Sequence, residues 1–216
     1  MLSTNGYQNF LSQAAACQDA FPGLHLQTDG EVPALSGTIT LQDEQGNTLD
    51  TYQISIQASS DFPMSFPLVF ETAGHIPKNY DWHVYETDGH CCLKTLPEEI
   101  IACRKGITLN SFIQDEVLPY FFSQTFRRIN GYFLQERAHS NQGWLEYFRE
   151  VFRTNSDQLI LHGLTLLARG QSPSRTADCF CGSGQKFRKC HRDSFDQLSL
   201  LRPEEIRQIL SRLHPG

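Results

Sequence analysis

The chain reads as an α+β protein in two parts: an antiparallel meander flanked by helices, then a short cysteine-rich segment with a helix of its own. Three observations predict this. Strand-like signals are confined to residues 35–85, helical spacing dominates before and after them, and no strand–helix–strand repeat winds a parallel sheet. With 216 residues, 39% apolar and 19% charged, the chain can bury one sizeable core and carry an appended module. The boundary is placed at a Ser/Pro-containing linker, Gln171–Thr176, so the parts are 1–170 and 171–216.

The elements follow in order. Tyr7, Phe10, Leu11 and Ala14 recur at helical spacing, which predicts a helix over about 5–20, capped by Thr4 or Asn5 and ended by Pro22-Gly23. Leu35, Gly37, Ile39 and Leu41 alternate with polar residues, Gln45-Gly46-Asn47 supplies a turn, and Tyr52, Ile54 and Ile56 alternate again. Pro67–Glu71 reads as a third, more buried strand and Trp82–Tyr85 as a short fourth. From Thr108, a plausible N-cap, the apolar stripe Leu109, Phe112, Ile113, Val117, Phe121, Phe122 predicts a helix that Pro119 should kink or restart and Gly131 should end. Trp144–Phe152 and Leu159–Leu167 mark two more helices, and Pro203 opens a last one with Ile206, Ile209, Leu210 and Leu213 on one face.

Charge and composition exclude several classes. The net charge of −6 is uneven: residues 171–216 hold eight Lys+Arg against five Asp+Glu, a net of +3, so the remainder carries −9. No Lys or Arg occurs before Lys78. An acidic body is a poor partner for phosphate, so nucleic acid is not expected as a ligand. No run approaches the roughly 18 apolar residues of a membrane span, and the N-terminus lacks the basic start of a secretory signal. The cytoplasm is the expected compartment, and a disulfide framework for the seven cysteines is a poor reading there.

Two groups of cysteines carry chemistry. The first is the adjacent pair Cys91-Cys92. A transthiolation enzyme needs an exposed thiol on a rigid shelf, and at an ordinary pKa of about 8.5 the small thiolate fraction suffices against an activated thioester. On an extended segment neighbours point to opposite faces, so one of the pair should be buried and the other exposed. His90 and Lys94 stand close enough in sequence to lower a thiol pKa. The competing reading is that both are small apolar core residues.

The stretch from Leu35 to Leu96 resembles the ubiquitin-conjugating fold. The resemblance rests on the meander, the loop Phe62-Pro63-Met-Ser-Phe66-Pro67, and Gly89-His-Cys-Cys92-Leu93, and it covers about residues 1–170. It implies that Cys92 is the nucleophile and Cys91 fills the apolar position before it. The family's His-Pro-Asn motif, whose Asn steadies the oxyanion, is replaced by Asp81-Trp82-His83, which implies that role for His83 with an imidazole N–H as donor; the competing reading is a strand histidine with one satisfied nitrogen. Asp81, Glu86 and Asp88 are loop acids that can activate an acceptor lysine, while His75 and His139 read as structural or surface residues. The first helix has none of the basic residues with which eukaryotic members dock their activating enzyme. The resemblance is nearest to conjugating-type proteins of bacterial anti-phage signalling operons. It implies a protein partner with a C-terminal carboxylate, joined as a thioester and passed to lysine, with a nucleotidyltransferase of the cyclic-oligonucleotide type as the candidate. An adaptor of the same fold without chemistry is the alternative.

The second group is Cys179-Phe-Cys181-Gly-Ser-Gly-Gln-Lys-Phe-Arg-Lys-Cys190-His191. Three thiolates and one imidazole in a short segment suit a closed, tetrahedral, structural Zn²⁺ site. The segment resembles the SEC-C motif at every defining position. Gly182 and Gly184 allow the tight turn between the two halves. With little core of its own, the segment is expected to be folded by the metal. Lys186, Arg188, Lys189 and Arg192 ring it and are available to an acidic partner or nucleic acid, the competing reading being that they are solvated surface charges.

Overall fold

A computed structural model describes residues 5–134 and 138–213. The described residues form two compact units. One comprises residues 5–94 and 106–134, the other 95–105 and 138–213.

The first unit opens with α1 (Asn5–Ala20), as its spacing predicted, with Phe10, Ala14 and Cys17 buried on one face. Of the two cap candidates, Thr4 lies outside the described residues. The sheet is a four-stranded antiparallel meander in the order β1 (Leu24–Gln27), β2 (Ala34–Gln42), β3 (Thr48–Gln57), β4 (Leu68–Glu71). Leu35, Ile39 and Leu41 of β2 and Tyr52, Ile54 and Ile56 of β3 turn inward, as the alternation required. Asp43 organises the turn before β3, its Oδ1 accepting from the backbone N–H groups of Gln45 and Asn47.

The sequence did not announce β1. Four residues are too few for alternation to register, and the strand exists through pairing, with Leu24 opposite Gly37. A Cβ on Gly37, whose φ is 142°, would meet the Gly23 carbonyl oxygen at 2.2 Å, so this close approach of β1 and β2 requires glycine.

One further expectation is corrected. Trp82–Tyr85 is not a strand: Tyr80–Trp82 is one 3₁₀ turn capped by Asn79, His83 follows at φ 51°, and Val84 makes only a single bridge, to Cys91. At that bridge His83 O accepts from the Cys92 N–H and His90 O from the Tyr85 N–H; Trp82 O is taken by Gln124 Nε2 at 2.9 Å, and His83 O also accepts from Tyr120 Oη at 3.1 Å. Pro119 restarts the helix as expected: α3 (Leu109–Phe112), with Thr108 and Ser111 forming a reciprocal capping box, gives way to a π-helical turn (Ile113–Val117), and α4 (Leu118–Asn130) begins with the proline in its first turn. Proline lacks the N–H of the regular ladder, and the widened turn just before it absorbs the loss. Gly131, at φ 84°, ends α4 as predicted.

The second unit gathers α2 (Leu96–Gly106), α5 (Ser140–Phe152), α6 (Asp157–Ala168), α7 (Arg192–Leu198) and α8 (Pro203–Leu213). This division differs from a boundary at 170. Phe148, Phe152, Ile160 and Leu164 share one buried cluster with Phe187, Phe195, Leu198, Ile206 and Ile209, so the cysteine-rich segment has a core, borrowed from the helices before it. Arg104 of α2 ties this unit further, reaching the Leu200 carbonyl and pairing through both nitrogens with Glu205. Among the described residues no helix is long and apolar enough to cross a membrane.

Candidate functional site

Cys91 and Cys92 lie on a segment pinned from two sides. The Cys91 N–H donates to the Val69 carbonyl of β4 at 2.7 Å, and the Cys92 N–H donates to the His83 carbonyl at 2.7 Å. Cys91 is buried, 4% exposed, and Cys92 is partly exposed. Burial pushes the Cys91 thiol up to about 12, which leaves it protonated and inert at neutral pH. The extended segment separates the two side chains as the alternation required, and Cys92 is the accessible thiol of the pair.

The Cys92 Sγ lies 3.8 Å from the Tyr85 hydroxyl. Tyr85 is held firmly: its ring stacks on His90 at 4.1 Å and 18°, and its backbone N–H and C=O bond to His90 O and Gly89 N–H at 2.9 and 2.8 Å. His90 in turn places Nδ1 2.6 Å from Asp88 Oδ1. This bond, with the backbone N–H of His90, holds the partly desolvated Asp88 carboxyl below its usual pKa.

The sequence candidates therefore separate. His83 is tied to Cys92 through its carbonyl, while its ring meets Phe133 edge-on at 5.0 Å. Lys94 pairs with Glu116 at 2.9 Å. Glu86 and Asp81 are exposed on the loop, His75 is exposed beside β4, and His139 occupies the N-cap position of α5. A groove of about 880 Å³ beside this region is lined by Ser55, Phe70, Lys78, Asp88, Gly89 and Cys91 among others, and Cys92 is not among its walls. Sequence reasoning passed over Tyr85 and read its stacked partner, His90, only as a neighbour that could lower a thiol pKa. The signal was weak, since an aromatic at the end of a short alternating run reads first as a strand residue.

In the second unit the donor atoms of Cys179, Cys181, Cys190 and His191 all lie within 4.8 Å of one another. Cys179 N–H bonds to Gln185 O at 2.8 Å and Gly182 N–H to Cys179 O at 3.1 Å, folding the turn that Gly182 and Gly184 permit at φ 74° and 72°. The 3₁₀ turn Phe187–Lys189 then delivers Cys190, and His191 stands at the start of α7.

The spacing fits zinc. Bonds of about 2.3 Å to sulfur and 2.0–2.1 Å to nitrogen make tetrahedral edges of about 3.8 Å between sulfurs and 3.5 Å between sulfur and nitrogen. The observed Cys181–Cys190 separation is 3.6 Å, and His191 Nδ1 lies 3.3 Å from Cys179 and 3.2 Å from Cys190. A disulfide needs about 2.05 Å, so none is formed there. The other imidazole nitrogen, Nε2, lies 2.8 Å from the Phe152 carbonyl. With Nε2 donating to that carbonyl, Nδ1 would be left as the nitrogen that holds a zinc ion. Burial pushes Cys179 up to about 11; Cys181, though partly desolvated, is held down at about 6 by Ser183 and the neighbouring thiols. Of the surrounding bases, Lys186 pairs with Asp178 and Arg192 with Asp196, while Arg188 and Lys189 are exposed.

Residues 175–193 match the SEC-C motif family. The match and the quartet together identify a segment suited to a structural zinc ion. No curated protein matches the chain in sequence. Among solved structures, the UEV domain of yeast vps23, in complex with a vps27 PSDP peptide, is similar at a TM-score of 0.38 and 14% identity, covering 54% of this chain and 81% of that one.

Proposed function

We propose that this chain is a ubiquitin-conjugating-like acyltransferase that uses Cys92 as its nucleophile. The Cys92 thiolate attacks the activated C-terminal carbonyl of a donor protein, forms a thioester and expels the activating group. An acceptor lysine amine then attacks that carbonyl, forms an amide and releases the Cys92 thiolate, its proton passing to solvent. A nucleotidyltransferase in a bacterial antiviral setting is the candidate donor, on the sequence resemblance alone. The zinc-bearing unit is the candidate docking surface for a protein partner.

The observation that carries this reading is the contrast within the cysteine pair: a buried Cys91 held at about 12 beside a partly exposed Cys92 whose backbone is pinned to His83. A rigid, accessible thiol needs no strong general base when its electrophile is already activated.

The test is intact-mass analysis of the chain recovered from cells that express its neighbouring genes, with and without thiol reductant. The wild type should carry a thiol-labile adduct. Cys92→Ala should lack it and Cys91→Ala should keep it. Cys92→Lys should carry an amide that resists reductant. An adduct that survives Cys92→Ala and vanishes in Cys91→Ala overturns the assignment. Absence of any adduct in all variants favours an adaptor.

A further inference from the structure

We infer that the Tyr85 hydroxyl, rather than the His83 imidazole, is the hydrogen-bond donor to the oxyanion formed when Cys92 attacks a thioester. The inference rests on the proposed role of Cys92. It assigns a catalytic residue that the sequence pattern did not.

Attack by the Cys92 thiolate forms the S–C bond and moves the carbonyl π pair onto oxygen. That oxyanion sits two bonds from sulfur. The C=O then re-forms as the leaving thiolate departs with the electron pair of the broken C–S bond and takes a proton from water. A donor that stabilises the oxyanion should lie about 2.7–3.1 Å from that oxygen. It therefore belongs just outside strong hydrogen-bond range of the sulfur itself, and Tyr85 Oη stands 3.8 Å from Sγ.

Preorganisation is the second requirement, because a donor that must be ordered during the reaction loses most of its benefit. Tyr85 is fixed by the His90 stack at 4.1 Å, by an edge contact with Tyr80 at 5.9 Å, and by the two backbone bonds of the 85–90 turn. Asp88 fixes His90 at 2.6 Å, so a carboxylate, an imidazole and a phenol form one chain that ends at the thiol. His83 is oriented differently, with its ring against Phe133 at 5.0 Å.

The experiment uses the zinc-loaded full chain and two small probes: the phenyl thioester of N-acetylglycine, which acylates through an oxyanion, and iodoacetamide, which alkylates without one. Modification at Cys92 is followed by intact mass and peptide mapping across pH 6–9. Tyr85→Phe should slow acylation by about 100-fold, the scale of one lost oxyanion donor, while alkylation stays within about twofold of wild type. His83→Ala should slow acylation far less. His90→Ala, which removes the stacked ring, should fall between. An unchanged acylation rate in Tyr85→Phe overturns the inference. A parallel loss of alkylation also overturns it, since the hydroxyl would then act on the thiolate. A wild-type Cys92 that alkylates but never acylates refutes the thioester reading itself, a result distinct from either failure of Tyr85.

Discussion

Removing the zinc is expected to loosen the whole second unit, not only the knuckle around Cys179–His191. The perturbation is chelation of the freshly purified full chain, which should contain about one zinc per molecule. Structural zinc in small modules carries an apparent binding free energy of about 10–16 kcal/mol at neutral pH. A unit of about 90 residues is stabilised by about 5–13 kcal/mol in total, so the metal's contribution is as large as everything else. The coupling runs through the core. Phe187 and Phe195, 2% and 3% exposed, each bring about 1.5–3 kcal/mol of burial to a cluster shared with Phe152, Ile160 and Leu164. His191 adds a direct tie through the Phe152 carbonyl of α5. Zinc release is read with a colorimetric chelator, and amide hydrogen exchange is followed in parallel. After zinc loss, α6 and α8 should lose protection together with residues 177–198, while β2 and β3 keep theirs. The coupling argument fails if α6 and α8 stay protected while the knuckle exchanges freely. The metal site itself fails if fresh protein contains no zinc.

Two further outcomes are expected. Gly163→Ala should destabilise the second unit by about 1–2 kcal/mol and speed zinc release: the methyl would stand 2.7 Å from Cε1 and Cζ of Phe152, whose ring is fully buried, so overpacking of about 1–3 kcal/mol outweighs the roughly 1 kcal/mol helix-propensity gain; a raised melting temperature would contradict this. The first unit should lose stability as pH rises from about 9 toward 12, because the unfolded Cys91 thiol ionises near 9.0 while the folded one stays protonated to about 12; urea melts at pH 8 and 10.5 should show the decline, and Cys91→Ala should lessen it, the remainder coming from the buried Cys17 thiol, pushed up to about 11.

Local signals account for what could be read before folding. α1, β2 and β3 follow from periodicity, the Thr108 cap and the Gly131 stop from backbone chemistry at single positions, and the zinc quartet from ligand type and spacing, because each is settled within a dozen residues. α2 was also legible and passed over: Thr95-Leu-Pro-Glu98 is a capping signature, with Glu98 Oε2 accepting from Thr95 N–H and Oγ1 at 3.1 and 2.6 Å. Other features had no local trace. β1 exists only because β2 pairs with it. The 82–85 segment turns instead of extending: Asn79 caps a 3₁₀ turn there, and Gln124, some 40 residues later, claims the Trp82 carbonyl. An apolar stripe states that a helix must be covered but not by what, so the sharing of one core by α5, α6 and the zinc segment was decided in three dimensions. The cysteine pair divides the same way. Alternation alone dictates that Cys91 and Cys92 face opposite sides; the bonds to Val69 and His83, brought from other parts of the chain, decide which one is buried and which one meets Tyr85.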